Sequence, residues 1–123
     1  MKEFSRADRV GAQMQRELAL LLRDAKDPRL AEVTVQEVRV TRDLAHAKVY
    51  FTVLDSTRAE AFTAILQRAA GFLRRELGRI MKVRTVPELH FVYDRSIEEG
   101  QRLSALIEEA VARDRGDKDD GQA

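Results

Sequence analysis

Six basic residues stand against a single acid in residues 68–84: Arg68, Arg74, Arg75, Arg79, Lys82 and Arg84, with only Glu76 opposing them. Arg68, Arg75, Arg79 and Lys82 follow one another at intervals of seven, four and three. On a helix turning about 100° per residue these four share one narrow stripe. Guanidinium groups offer forked donors that match phosphate oxygens, and cations repeated along a helix can track a nucleic-acid backbone. A solvated face that touches nothing usually mixes both signs, and this segment does not. RNA contact through these six residues is therefore expected.

Catalytic chemistry finds less support. His46 and His90 are the two histidines. Each alternates with apolar residues in a strand-like run, and neither has a serine or acid spaced for a proton relay. Asp43, near His46, reads as a turn residue. The chain has no cysteine, which removes disulfides, thiolate metal sites and a cysteine nucleophile together. No Gly-rich phosphate loop with lysine is present, and no histidines and carboxylates stand at metal-ligand spacing. No catalytic residue, metal or cofactor is expected. Lys26-Asp27-Pro28-Arg29-Leu30 reads first as a helix stop and turn, and only second as a contact. Two rival readings stand beside RNA binding: a protein-interaction module that sets the basic helix on an acidic protein partner, and a small hydrolase with an unrecognised site. A membrane-surface helix is disfavoured, because the apolar side of the same helix is needed by a core.

A basic stripe needs a rigid body behind it. With 123 residues, 44% hydrophobic and 35% charged, the chain suits one packed domain burying about two-thirds of its extended surface. No apolar run approaches the roughly 20 residues of a membrane helix, and the first residues lack the apolar middle of a signal peptide. A soluble cytoplasmic protein is expected. The net charge of +1 conceals an acidic C-terminal third, where residues 94–123 hold nine acids against five bases.

The elements follow from period and punctuation. Ser5 and Asp8 resemble a helix N-cap, and Val10, Met14, Leu18, Leu21 and Leu22 recur at helical spacing, so a helix should run from about Arg6 to Asp24. Asp27-Pro28 stops it. Residues 33–41 are rich in β-branched types, but their alternation shifts phase between Val35 and Val38, which predicts a strand with a bulge. After the turn Arg42–Ala45, the residues Ala47, Val49, Phe51 and Val53 alternate with polar ones in the clearest strand. Thr57 and Glu60 form a capping-box pattern opening a helical region that reaches about Met81, with Phe62, Ile65, Leu66, Ala69, Leu73, Leu77 and Ile80 as its apolar side. Gly71 and Gly78 interrupt it, which suggests either close packing on the sheet or a bend in Ala69-Ala70-Gly71. A bend with positive φ or tight contact predicts that alanine at Gly71 destabilises the fold. Pro87 opens a third strand, with Leu89, Phe91 and Tyr93 on one face. Ser96 and Glu99 begin a last amphipathic helix carrying Ile97, Leu103, Leu106, Ile107, Ala110 and Val111. Residues 114–123 should form a disordered acidic tail beyond a domain of residues 1–113. The second and third strands should be parallel, joined by the helical region. The fold class is α+β, a three-stranded mixed sheet with helices packed on one face; the strand order stays open.

Taken together, Lys26-Asp-Pro-Arg-Leu30, Val40-Thr-Arg-Asp-Leu-Ala-His-Ala-Lys-Val-Tyr50, Ala69-Ala-Gly-Phe-Leu73 and Val86-Pro-Glu-Leu-His-Phe-Val-Tyr-Asp94 resemble the bacterial ribosome-binding factor A family. The match spans about Phe4 to Val111. The resemblance implies a type II KH-like domain with an Ala-x-Gly kink between two helices, a pattern that Ala69-Ala70-Gly71 fits. It also implies a non-enzymatic factor that binds the free small ribosomal subunit and its rRNA late in assembly. Such a factor assists maturation and processing of the small-subunit rRNA near the 5′-terminal helix and leaves before the subunits join. No membrane and no small-molecule substrate enter this reading, and a monomer is expected. The chain holds no G-x-x-G, so the usual KH clamp on four backbone nucleotides gives way to contact through the basic helix.

Overall fold

The structure is a computed structural model that describes residues 5–121, with side chains described for residues 5–115. Ser5 caps helix α1 (Arg6–Arg23) through the reciprocal box the sequence announces. The Asp8 amide donates to Ser5 Oγ at 3.1 Å, and the Ser5 amide donates to Asp8 Oδ2 at 3.0 Å. The helix ends at Arg23 with Asp24 as its cap, before the Asp27-Pro28 stop is reached. Asp27 instead holds the following turn, accepting from the Arg29 amide at 3.0 Å and from its guanidinium at 2.7 Å. That bonded guanidinium keeps the Asp27 carboxyl below its usual pKa.

Strands β1 (Thr34–Val40) and β2 (His46–Thr52) pair antiparallel, and the register shifts between Val35 and Glu37. The bulge leaves the Gln36 carbonyl outside the ladder. The Gln15 side chain of α1 donates to that carbonyl at 2.9 Å, while the Gln36 amide donates to Thr52 Oγ1 at 2.9 Å. Between the strands, Leu44 adopts φ 60°, and Asp43 accepts from Thr41 Oγ1 at 2.6 Å and from the Ala45 amide at 3.0 Å.

Helix α2 (Ala59–Ile80) carries the chain to β3 (Glu88–Tyr93), which lies parallel to β2. The sheet order is β1-β2-β3. The start of α2 differs from the expected Thr57–Glu60 box. Asp55 captures the Thr57 amide at 3.1 Å and its hydroxyl at 2.6 Å, making a short 3-10 turn over Ser56–Arg58 before α2 begins without a side-chain cap. Helices α1 and α2 cover one face of the sheet. Met14, Leu18, Leu66, Leu73 and Leu77 pack there against Val49, Phe51 and Leu89, all with zero exposure.

Three expectations are corrected. The helical region is one unbroken helix through Ala69-Ala70-Gly71, not two helices joined at a kink. Gly71 has no positive φ, and a Cβ there would meet nothing within 4 Å. Neither physical reason for a required bend is present. Gly71→Ala is therefore expected to stabilise the protein by up to about 1 kcal/mol, through helix propensity and a less entropic unfolded chain, as read by urea denaturation. Second, the last helix, α3 (Ser96–Gly121), meets the sheet only at its first turn among the described residues, where the Tyr93 hydroxyl donates to Glu98 at 3.3 Å. Its side chains from Gln101 to Arg115 are exposed, including Leu103 at 59% and Ile107 at 54%. One sheet face is already covered, and the other is mostly polar, with Arg39, His46, Lys48, Glu88 and His90 beside Tyr50 and Val92, so it offers an apolar stripe little to pack on. Third, the stretch expected to be disordered from Asp114 continues α3 as far as Gly121. An existing helix adds one hydrogen bond per residue without needing a packed face. The last two residues of the expected tail lie outside the described residues.

Candidate nucleic-acid interface

The buried side of α2 consists of Ala59, Phe62, Leu66, Ala70, Leu73 and Leu77. Arg68, Arg75 and Arg79 lie on the opposite side and are exposed. Ile80, expected in the core, is 43% exposed, and Ala70 takes the buried place assigned to Ala69. Arg79 meets Glu76 only at 4.0 Å, while Arg68 Nε donates to the Ala64 carbonyl at 3.3 Å. Their guanidinium groups face solvent on the outer side of the helix layer, away from the sheet.

The other three basic residues separate from this stripe. The helix stops at Ile80, so Lys82 and Arg84 are exposed in the loop before β3 rather than on the helix. Arg84 borders a shallow depression shared with Arg6 of α1 and Asp43 of the β1–β2 turn. Arg74 is half-buried, and its Nη2 donates to the Val86 carbonyl at 2.7 Å. It ties α2 to the loop entering β3. Arg74→Ala is expected to destabilise the fold by about 1–3 kcal/mol, because the Val86 carbonyl loses its charged donor. The same variant should retain the RNA affinity of its folded fraction. Urea denaturation with binding measured in parallel checks both.

A second set of arginines escaped the sequence reading. Arg9, Arg16 and Arg23 are exposed on α1, opposite the buried Val10, Met14, Leu18 and Leu22. Their spacing of seven was the available signal. It was diluted because residues 1–30 also hold five acids. Because α1 and α2 lie side by side on one sheet face, both arginine stripes look outward from the same layer.

The histidines are also brought together, against expectation. His46 and His90 project from β2 and β3 on the uncovered sheet face, with His46 Nδ1 2.9 Å from His90 Nε2 and 3.7 Å from Glu88 Oε2. Forty-four residues separate the two histidines in sequence; the parallel register His46↔Glu88 and Lys48↔His90 closes the gap.

An α+β domain of KH-like element order, its helix layer studded with outward arginines, is the class of protein these features define. The family model of ribosome-binding factor A matches residues 6–107. A ribosome-binding factor A of Thioalkalivibrio sulfidiphilus is 62% identical over 121 residues, covering 97% of this chain and 94% of the relative. One from Stutzerimonas stutzeri is 55% identical, with 97% and 96% covered. The crystal structure of ribosome-binding factor A from Thermus thermophilus superposes with a TM-score of 0.67 at 30% identity, over 75% of this chain and all of that one. A homology model of the Thermus thermophilus factor, fitted into a cryo-EM map of its complex with the 30S subunit, superposes with a TM-score of 0.59 at 33% identity, covering 69% of this chain and 91% of that one. The chain belongs to the ribosome-binding factor A family. Among the described residues, no helix is long and apolar enough to cross a membrane.

Proposed function

We propose that this protein is a non-enzymatic assembly factor that binds the free small ribosomal subunit and assists late maturation and processing of 16S rRNA, near its 5′-terminal helix. The carrying observation is the arginine layer: Arg68, Arg75 and Arg79 on α2, with Arg9 and Arg16 on α1, exposed opposite buried faces. Lys82 and Arg84 extend the basic surface at the end of α2, and Arg74 serves the fold. Forked donors on two neighbouring helices can grip several phosphates at once, which suits a factor that positions RNA and does no covalent chemistry. The absence of G-x-x-G supports contact through this layer over a loop clamp on the backbone. Family membership and the 30S complex of a relative support the subunit as partner. The motif resemblance supports the late stage, the 5′-terminal helix and the release before joining. The factor acts as a cytoplasmic monomer without a small-molecule substrate.

Sedimentation of a cell lysate tests the reading. The protein should migrate with free small subunits and be missing from joined ribosomes. Migration at the top of the gradient only, or equal occupancy of joined ribosomes, would overturn it. Binding to purified rRNA fragments should weaken steeply with salt, whereas binding only to an acidic ribosomal or other protein would favour the interaction-module reading.

A further inference from the structure

We propose that His46, Glu88 and His90 form a binding site for a divalent transition-metal ion, zinc by its donor chemistry, on the uncovered face of the sheet. The three residues come from two parallel strands whose register sets His46 beside Glu88, with His90 two positions further along the same face. Their ligand atoms all lie within 4.8 Å of one another. Tetrahedral zinc with bonds of about 2.0–2.1 Å spaces its ligand atoms about 3.3 Å apart. Two of the three separations, 2.9 Å and 3.7 Å, bracket that spacing and the third lies within 4.8 Å, so rotation of the Glu88 and His90 side chains toward each other would complete the set. The side chains of His46 and Glu88 are 51% and 58% exposed, free to make those rotations and open to an ion from solvent.

Two imidazoles and one carboxylate suit zinc, copper or nickel, whereas calcium and magnesium seek all-oxygen shells. Three protein ligands leave a fourth position for water, and both histidines line a shallow depression open to solvent. The nearby charges are mixed. Glu88 brings the compensating negative charge, and Arg39 is taken by Glu37 at 3.0 Å. Lys48, paired with His90 in the register, is the cation that opposes the metal. Without metal the two rings share one hydrogen bond; binding needs the donor ring in its other tautomer, its proton carried on the non-coordinating nitrogen, so that both facing nitrogens offer a lone pair.

The test is titration of the untagged full-length chain with zinc chloride at neutral pH, followed by calorimetry and by imidazole nitrogen NMR. His46 and His90 are the chain's two histidines, so every imidazole signal reports on the site. The expected result is one zinc per chain with both imidazoles shifted. His46→Gln, His90→Gln and Glu88→Gln should each weaken binding by roughly 10-fold or more, since losing a ligand should cost at least as much as losing a residue that only orients one. Lys48→Gln should bind equally or more tightly. Circular dichroism verifies that these surface variants keep the fold. Zinc binding unchanged in the double variant His46→Gln, His90→Gln, or imidazole signals unmoved by zinc, would overturn the proposal.

Discussion

Replacing Arg68, Arg75 and Arg79 together by glutamine is expected to lower affinity for small-subunit rRNA about tenfold or more at moderate salt while leaving the fold intact. All three are exposed on the side of α2 opposite Leu66, Leu73 and Leu77. Exposed substitutions usually shift stability by no more than about 0.5 kcal/mol each. The salt dependence carries the mechanistic content. Each phosphate contact removed should make the slope of log affinity against log salt shallower by about 0.7–0.9, so losing three contacts should flatten it by about 2.1–2.7. Adding Arg9→Gln and Arg16→Gln should deepen the loss, because α1 contributes to the same outward layer. Filter binding at several salt concentrations measures both quantities. A triple variant with unchanged affinity and slope would show that RNA does not reach α2. A loss confined to Lys82 and Arg84 variants would move the interface to the loop before β3.

The features that the sequence made legible were those fixed by local chemistry. Ser5 and Asp8 bond reciprocally because their spacing of three is the geometry of a helix start. Val49 and Phe51 are buried and Lys48 exposed because a strand alternates. The phase slip in β1 is a bulge for the same reason. What stayed hidden depended on partners distant in sequence. Arg74 looked like its neighbour Arg75, but it lies on the flank of α2 where the Val86 carbonyl is within reach. The apolar stripe of α3 read as a packing face, yet helical period says only which residues share a side and not whether a surface is waiting for them. The His46–Glu88–His90 cluster needed the register of two parallel strands, which no motif of fixed spacing encodes. Gly71 drew attention because glycine breaks a helical pattern. The glycine under steric constraint lies elsewhere, in the first helix.

Gly11→Ala is that test, with an expected destabilisation of about 1–3 kcal/mol. Gly11 is buried in α1, where the helix crosses β1. A Cβ placed there would stand 2.7 Å from the Val38 carbonyl oxygen. A carbonyl oxygen of a paired strand cannot rotate aside like a side-chain tip. Relief requires α1 to lift from the sheet or β1 to shift, and either movement loosens contacts among fully buried Met14, Leu18 and Val49. Alanine's better helix propensity offsets at most about 1 kcal/mol of that cost. Gly11→Ala and Gly71→Ala are thus expected to move stability in opposite directions, although both replace glycine inside a helix. Urea denaturation of the two variants beside the parent chain measures the contrast. A stabilised Gly11→Ala variant would mean that α1 can recede from Val38 without loss. In that case glycine at this position would not be what sets the spacing between helix and sheet. If instead it is destabilised while Gly71→Ala gains, the close approach of α1 to β1 is a constraint of the fold, and the direction in which Arg9 and Arg16 face depends on it.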